Sequence, residues 1–168
     1  NGNTGDFISG GHLPSLNNKL NLKKDRLKDI FNYILKKHFS LWEDHFDNKQ
    51  KINIKKMIME SLPDSLTNLH KKEEYKIYEY VEFLNRQSNY VIQGQRVYDF
   101  LNINWELPLW HDSYLEFWNR VPYKFKLNQE LYKDTLLKNN WGNVWKNLPI
   151  NKYYVTPRSL TYIRNMLK

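Results

Sequence analysis

Cysteine is absent from this chain of 168 residues. Disulfides, cysteine-ligated zinc and thiol catalysis are therefore excluded, because each needs a cysteine sulfur. The sequence also lacks a run of about 18 apolar residues, the length that a helix needs to cross a bilayer. It shows no signal-peptide pattern either. We therefore expect a cytoplasmic protein that has no membrane partner.

Strand-like alternation of useful length is missing too, and glycine and proline number only six each. Hydrophobic residues make up 40% of the chain and aromatic residues 15%, which argues against disorder. Apolar residues recur at helical spacing instead, as at Ile30, Phe31 and Ile34. The pattern predicts an all-α fold in one irregular multi-helix domain, residues 1–168.

The apolar spacing and the turn signals place the helices approximately. They are predicted over residues 22–42, 54–62, 71–87, 91–101, 113–120 and 129–138, with another after Thr156-Pro157. Asp112 or Ser113 is expected to cap the fifth helix, and Phe117 and Trp118 are expected to lie in the core.

The charge balance allows two interpretations. The chain carries a net charge of +8, mostly from lysine. A lysine-rich surface in contact with water is the simpler interpretation, and it requires no nucleic acid partner. The alternative is a basic helical module that binds nucleic acid or a protein partner, with the lysines of the first helix as its contact face.

Residues 1–18 are rich in glycine and asparagine and are predicted to form a loop. Glycine lets a backbone approach a ligand and point its N–H groups at an anion. A carboxylate beside such a loop can hold Mg²⁺. The candidate residues are Gly2, Gly5, Asp6, Gly10 and Gly11.

Residues 1–12 resemble the second glycine-rich loop of asparagine synthetases, Ser-Gly-Glu-Gly-Ala-Asp-Glu-Leu-Phe-Gly-Gly-Tyr. The two align without a gap and share Gly2, Asp6, Gly10 and Gly11. The run from Gly5 to His12 is typical of a divergent branch whose members resemble enzymes of surface-polysaccharide biosynthesis. Asn3 and Thr4 depart from the family, which has Glu and Gly there.

The second block of resemblance is Glu106 to Asp112, which is similar to the family's Arg-x-Pro-Phe-Leu-Asp segment. Pro108 and Leu109 match. Glu106 stands where the family has arginine, and Asp112 corresponds only if His111 is an insertion, so neither carries a role across.

The resemblance implies an amide-forming synthetase that activates a carboxylate substrate with Mg²⁺-ATP. Asp6 would be the Mg²⁺ ligand at the ATP pyrophosphate, and the glycines would lie in the nucleotide site. Residues 19–168 would be the helical C-terminal region of an α/β ATP-pyrophosphatase domain. The family's pyrophosphate loop, Ser-Gly-Gly-x-Asp-Ser, does not occur in this sequence. The expected partner is therefore an N-terminal half of the same domain.

The isolated chain is predicted to bind Mg²⁺-ATP weakly and to show no synthetase activity. Ordering a terminal loop on a nucleotide costs about 1–2 kcal/mol per residue in backbone entropy. The binding free energy from one Mg²⁺-bound carboxylate does not offset that cost. Calorimetric titration of the chain with Mg²⁺-ATP measures this directly. Micromolar binding with turnover would contradict the prediction.

Overall fold

The computed structural model describes residues 2–14, 26–42, 45–69 and 73–147. These residues are mostly helical and include no strand, which confirms the all-α fold class for the described part of the chain. None of the described helices is both long and apolar enough to cross a membrane. The helix predicted after Thr156-Pro157 lies outside the described residues.

The chain divides into two compact units, Asn1–Glu130 and Leu131–Lys168, where the sequence predicts one domain. The helices of the first unit are α1 (Gly5–Ile8), α2 (Arg26–His38), α3 (Asn48–Glu60), α4 (Asp64–Thr67), α5 (Tyr75–Val81), α6 (Val97–Phe100), α7 (Asp112–Arg120) and α8 (Tyr123–Lys126). A π-helix (Glu82–Ile92) and a 3₁₀ turn (Gln93–Arg96) join α5 to α6 without interruption. Two more 3₁₀ turns span Pro108–Trp110 and Leu127–Gln129.

The core of the first unit forms where α2 packs against α5. Its buried residues are Ile30, Phe31, Ile34, Leu62, Tyr75, Ile77, Tyr78 and Val81. The first three are the stripe that the sequence predicts, and Ile30 and Ile34 are fully buried. Burying a side chain of this size contributes about 1.5–3 kcal/mol, so α2 is held mainly by this face.

Helix α3 has a complete local start signal but only partial packing. The Asp47 carboxylate accepts from the Gln50 backbone N–H, and the Gln50 side chain accepts from the Asp47 N–H, which forms a capping box. No residue of α3 is buried. The helix therefore begins six residues earlier than predicted, and its apolar face is only partly buried, with Ile58 and Met59 packed against the core.

The single long helical run from Tyr75 to Phe100 replaces the two helices predicted over 71–87 and 91–101. Helix α7 ends at Arg120 as predicted, but His111 caps it in place of Asp112 or Ser113. Trp118 is buried as predicted, whereas Phe117 is 53% exposed and does not belong to the core.

Helix α9 (Glu130–Asn139) begins at the boundary of the second unit. The sequence predicts that this helix starts at Gln129 after an Asn128 cap. Instead, Asn128 adopts a φ of 55° inside the 3₁₀ turn, so it does not cap α9. In the second unit Leu136 is buried, and a 3₁₀ turn spans Trp141–Asn143.

The glycine-rich segment is not a loop throughout, because Gly5–Ile8 forms the helical turn α1. Phe7, Ile8 and Ser9 are buried. The Gln129 side chain donates to Ser9 Oγ at 2.7 Å, and Ser9 Oγ donates to the Gly5 carbonyl at 2.7 Å. This segment is therefore fixed to the body of the first unit by residues far along the chain.

Gly10 can be tested as the residue that lets the segment dock. Its φ is +98°, and an added Cβ would lie 2.2 Å from the Lys126 carbonyl oxygen. Gly10→Ala is expected to lower the free energy of unfolding by about 2 kcal/mol or more, because backbone strain and a backbone clash add.

Gly94→Ala is the matched control. Gly94 lies in the helical run, and an added Cβ would meet nothing within 4 Å. This change is expected to raise stability by up to about 1 kcal/mol. Urea unfolding of both variants measures the difference, and equal effects would show that Gly10 has no special packing role.

Candidate functional site

The site is built around Asp6, the residue that the sequence singles out as a metal ligand. Asp6 lies in the first turn of α1, and its side chain is 64% exposed. His12 follows six residues later, beyond the end of α1, and places Nε2 3.0 Å from Asp6 Oδ2. The other ring nitrogen of His12 lies 2.9 Å from Glu82 Oε1. His12 therefore bridges an exposed carboxylate and a buried one.

Glu82 is the centre of this arrangement. Its side chain has no exposure to solvent, and it comes at the start of the π-helix. Gln87 Nε2 donates to Glu82 Oε1 at 2.9 Å, five residues along. His38 Nε2 lies 3.1 Å from Glu82 Oε2, without the geometry of a hydrogen bond. The carboxylate is thus enclosed by groups from the glycine-rich segment, from α2 and from its own helix.

Two cations complete the surroundings of Glu82. Lys37 Nζ lies 3.5 Å from Glu82 Oε2, and Arg86 Nε lies 3.6 Å from Glu82 Oε1. Each is an ion pair in which no hydrogen bond forms within the described residues. A buried carboxylate needs such compensation, because leaving its charge unpaired in the interior costs several kcal/mol.

The pKa values of the three bridged groups follow from these contacts. The hydrogen bond from His12 lowers the pKa of Asp6 against the opposing effect of burial. Hydrogen bonds to Asp6 and to Glu82 raise the pKa of His12. Burial alone would raise the pKa of Glu82, but the contacts from His12, His38 and Gln87 outweigh it and lower that pKa. The cluster therefore favours ionised carboxylates and a protonated His12.

An open groove lies beside this bridge. Its volume is about 470 Å³, and its lining residues are Gly11, His12, Leu13, Pro14, Tyr33, Lys36, Lys37 and Tyr78. Two lysines and a histidine with a raised pKa give this groove a positive charge. It can accept an anion, with Asp6 joined to its edge through His12.

The glycines predicted for nucleotide binding divide into two groups. Gly2 and Gly11 are exposed. Gly5 and Gly10 are buried in close packing, where an added Cβ would lie 2.3 Å from Leu109 Cδ1 and 2.2 Å from the Lys126 carbonyl oxygen. The N–H groups of Gly10 and Gly11 donate to the carbonyls of Phe7 and Asp6. They are therefore not directed at an anion, contrary to the role expected of them.

The residues present fit Mg²⁺ in one particular way. No group of three or more His, Cys, Asp or Glu side chains in the described part of the chain could hold a metal ion. Mg²⁺ is commonly bound by one or two carboxylates together with substrate phosphates and water. Asp6 is exposed beside a basic groove, so it could bind Mg²⁺ together with a phosphate. It could not hold the ion with protein ligands alone.

The structure brings the two blocks of family resemblance into contact. Gly5 packs on Leu109, which lies more than 100 residues further along the chain. The ring of Trp110 stacks on Phe83, next to Glu82, with centroids 4.8 Å apart and an interplanar angle of 12°. Glu106 and Asp112 are exposed.

Sequence reasoning missed Glu82, although a signal was available. Tyr75, Tyr78 and Glu82 follow the three- and four-residue spacing of one helical face. A glutamate on an apolar stripe is unusual unless it is paired, and Arg86 stands four residues on. Lys37 belongs to the lysine-rich face predicted for the first helix, but its side chain is only 27% exposed.

No family model, curated protein or solved structure matches this chain in the comparisons with known proteins.

The bridge predicts how stability depends on pH. The folded-state pKa of His12 lies above its ordinary value of 6.5, so its contribution is present below that pH and is lost as pH rises through the folded pKa. The pKa values of Asp6 and Glu82 lie below 3.8 and 4.5, so their contributions are present above those values and are lost in acid. The melting temperature should therefore decline on both sides of an interval from about pH 4.5 to 6.5.

His12→Gln should remove the decline on the alkaline side, because glutamine has no charge to lose there. Thermal melts across a pH series measure this, and the exposed His45→Gln variant is the control. An unchanged alkaline decline in His12→Gln would show that another group causes it.

Proposed function

We propose that this chain is the helical part of an ATP-using, amide-forming synthetase related to asparagine synthetases, and that Asp6 and the neighbouring basic groove hold Mg²⁺ and nucleotide phosphates. The observation that carries the proposal is the bridge from Asp6 through His12 to Glu82 at the edge of that groove. The family resemblance supplies the reaction class, and the geometry supports a role for these side chains in binding phosphate.

The side chains of the site match the separate needs of a phosphate that is bound together with a metal ion. Asp6 keeps a carboxylate exposed for the metal, while His12 holds its orientation from one side. Lys36 and Lys37 line the groove and can donate to phosphate oxygens, which lysine does as a point charge. Glu82 is fully buried and positions His12, so it would not touch the ligand.

Mg²⁺ would supply charge neutralisation at the phosphates when it is bound, with Asp6 as its protein ligand. The task of this chain is then to bind and orient the polyphosphate. Lys36 and Lys37 offset part of the negative charge that accumulates there, while His12, whose two ring nitrogens face Asp6 and Glu82, holds Asp6 in place. Attack of the substrate carboxylate on the α-phosphate of ATP would form an acyl-adenylate and release pyrophosphate. Ammonia would then attack the acyl carbon and displace AMP to form the amide, with further residues supplied by the expected N-terminal half.

The Asp6→Asn variant distinguishes the contribution of Mg²⁺ to binding from the contribution of the ATP phosphates. The change keeps the shape of the side chain and its ability to contact His12, but it removes the charge that a divalent cation needs. We expect millimolar Mg²⁺-ATP to shift backbone amide NMR signals at Asp6, Gly11, Lys36 and Lys37 in the parent chain. In Asp6→Asn the Mg²⁺-dependent part of these shifts should disappear, while shifts caused by ATP alone should persist.

Lys36→Gln should instead weaken the response to ATP with and without Mg²⁺. Asp134→Asn, an exposed carboxylate on α9, is the matched control and should behave like the parent chain. Identical Mg²⁺-dependent shifts in Asp6→Asn and the parent would contradict the role of Asp6. In the gene product that contains this chain, Asp6→Asn should also reduce pyrophosphate release from ATP by at least about tenfold.

A further inference from the structure

A second groove opens between α2, α3 and the helical run that follows α5. Its volume is about 620 Å³, which is within the range of roughly 300–1,000 Å³ that small-molecule sites occupy. The lining residues are Lys37, His38, Phe39, Ile54, Met57, Ile58, Ser61, Val81, Asn85, Arg86 and Tyr90. Neither Asp6 nor any glycine of the first segment belongs to it.

One wall of this groove is apolar and only partly buried. Ile54, Met57 and Ile58 come from α3, the helix in which no residue is buried. Met57 is 68% exposed, and Tyr90 on the opposite wall is 74% exposed. An amphipathic helix normally buries its apolar face. Here that face borders open space large enough for an apolar body.

The other wall carries two cations whose donors are not used up. Glu82 receives its close contacts from His12 and Gln87, both at 2.9 Å. Lys37 and Arg86 stand further off, at 3.5 and 3.6 Å, and neither forms a hydrogen bond within the described residues. The Lys37 side chain is only 27% exposed, so its ammonium is partly removed from water, and this burial lowers its pKa. Donors in such a setting favour an anionic partner.

We propose that this groove is a binding site for an amphipathic organic anion with a single acidic head and an apolar body. The head would lie at Lys37 and Arg86, and the body would lie against Ile54, Met57 and Ile58. A neutral ligand would leave the two cations with only their longer ion pairs to Glu82. A polyanion such as a triphosphate would meet only two cations, with the Glu82 carboxylate directly behind them.

The inference does not depend on the proposed function. The two grooves share Lys37, but Arg86 lines only the second and Lys36 only the first. Variants at Arg86 and Lys36 therefore report on different sites, and the failure of one proposal leaves the other standing.

A matched pair of fluorescent probes tests the site. The dye 8-anilinonaphthalene-1-sulfonate carries one acidic head, and N-phenyl-1-naphthylamine has the same ring system without it. We expect the anionic dye to bind the parent chain more tightly than the neutral dye. Arg86→Gln should weaken the anionic dye about tenfold, the factor typical of a lost hydrogen bond to a charged group, and leave the neutral dye unchanged.

Two further variants complete the comparison. Met57→Asn should weaken both dyes, because it makes the apolar wall polar. Arg96→Gln, an exposed arginine further along the same helical run, should change neither. Circular dichroism and melting temperature verify that each variant folds.

Octanoate and octyl phosphate then identify the head group by displacing the anionic dye. Preferential displacement by one of them assigns a carboxylate or a phosphate ligand, and both outcomes support the site. The proposal is overturned if the neutral dye binds as tightly as the anionic dye, if Arg86→Gln leaves anionic-dye binding unchanged, or if neither octyl compound displaces it.

Discussion

Glu82 has no contact with solvent, and a carboxylate in that position is stable only where donors and cations surround it. Its partners come from three separate places along the chain. His12 belongs to the glycine-rich segment, Lys37 and His38 to the end of α2, and Arg86 and Gln87 to the π-helix. Satisfying one charge therefore fixes the relative positions of these elements in the first unit.

The apolar core and the buried carboxylate act on the same pair of elements in different ways. Ile30, Ile34 and Tyr78 supply non-directional burial between α2 and α5. The contacts to Glu82 are directional, so they select one arrangement among those that burial alone would permit. A second buried ion pair connects α8 to α5, where Lys126 Nζ lies 2.8 Å from Glu79 Oε1. The carbonyl of Lys126 in turn lies against Gly10, so both ion pairs meet at the glycine-rich segment.

Lys37 connects the two grooves. Its side chain lines both, and its charge is balanced from within by Glu82. An anion in either groove would change the field felt by the other, because the ammonium group is only partly accessible to water. The two proposed sites are thus physically coupled through one side chain while they differ in the rest of their lining.

Features that a local sequence pattern encodes could be predicted, whereas features that depend on contacts between distant parts of the chain could not. The stripe of Ile30, Phe31 and Ile34 follows helical periodicity, so its burial was predictable. The turn α1 was not, because four residues show no periodicity and the segment is held by Leu109 and Gln129 from far along the chain.

The candidate site likewise has one part that a local motif reveals and another part that only the fold assembles. Asp6 was singled out by a motif, and the structure places its side chain at an exposed edge of the first unit. Its support from His12 and Glu82 depends on a fold that brings residues 70 positions apart within 2.9 Å. No local pattern encodes that contact, although the spacing of Tyr78 and Glu82 on one helical face provides a clue.

The π-helix determines which side chains of its own run can meet Glu82. Residues five apart align along Glu82–Ile92, so Gln87 reaches Glu82 and Ser88 Oγ donates to the Phe83 carbonyl at 2.8 Å. An α-helical repeat over these same residues would give each about 100° of rotation, so groups five residues apart would lie about 140° from each other around the helix axis. Gln87 would then turn away from Glu82, and the hydrogen bond between them would be lost. The buried carboxylate therefore depends on this local repeat as well as on the chemistry of the side chains around it.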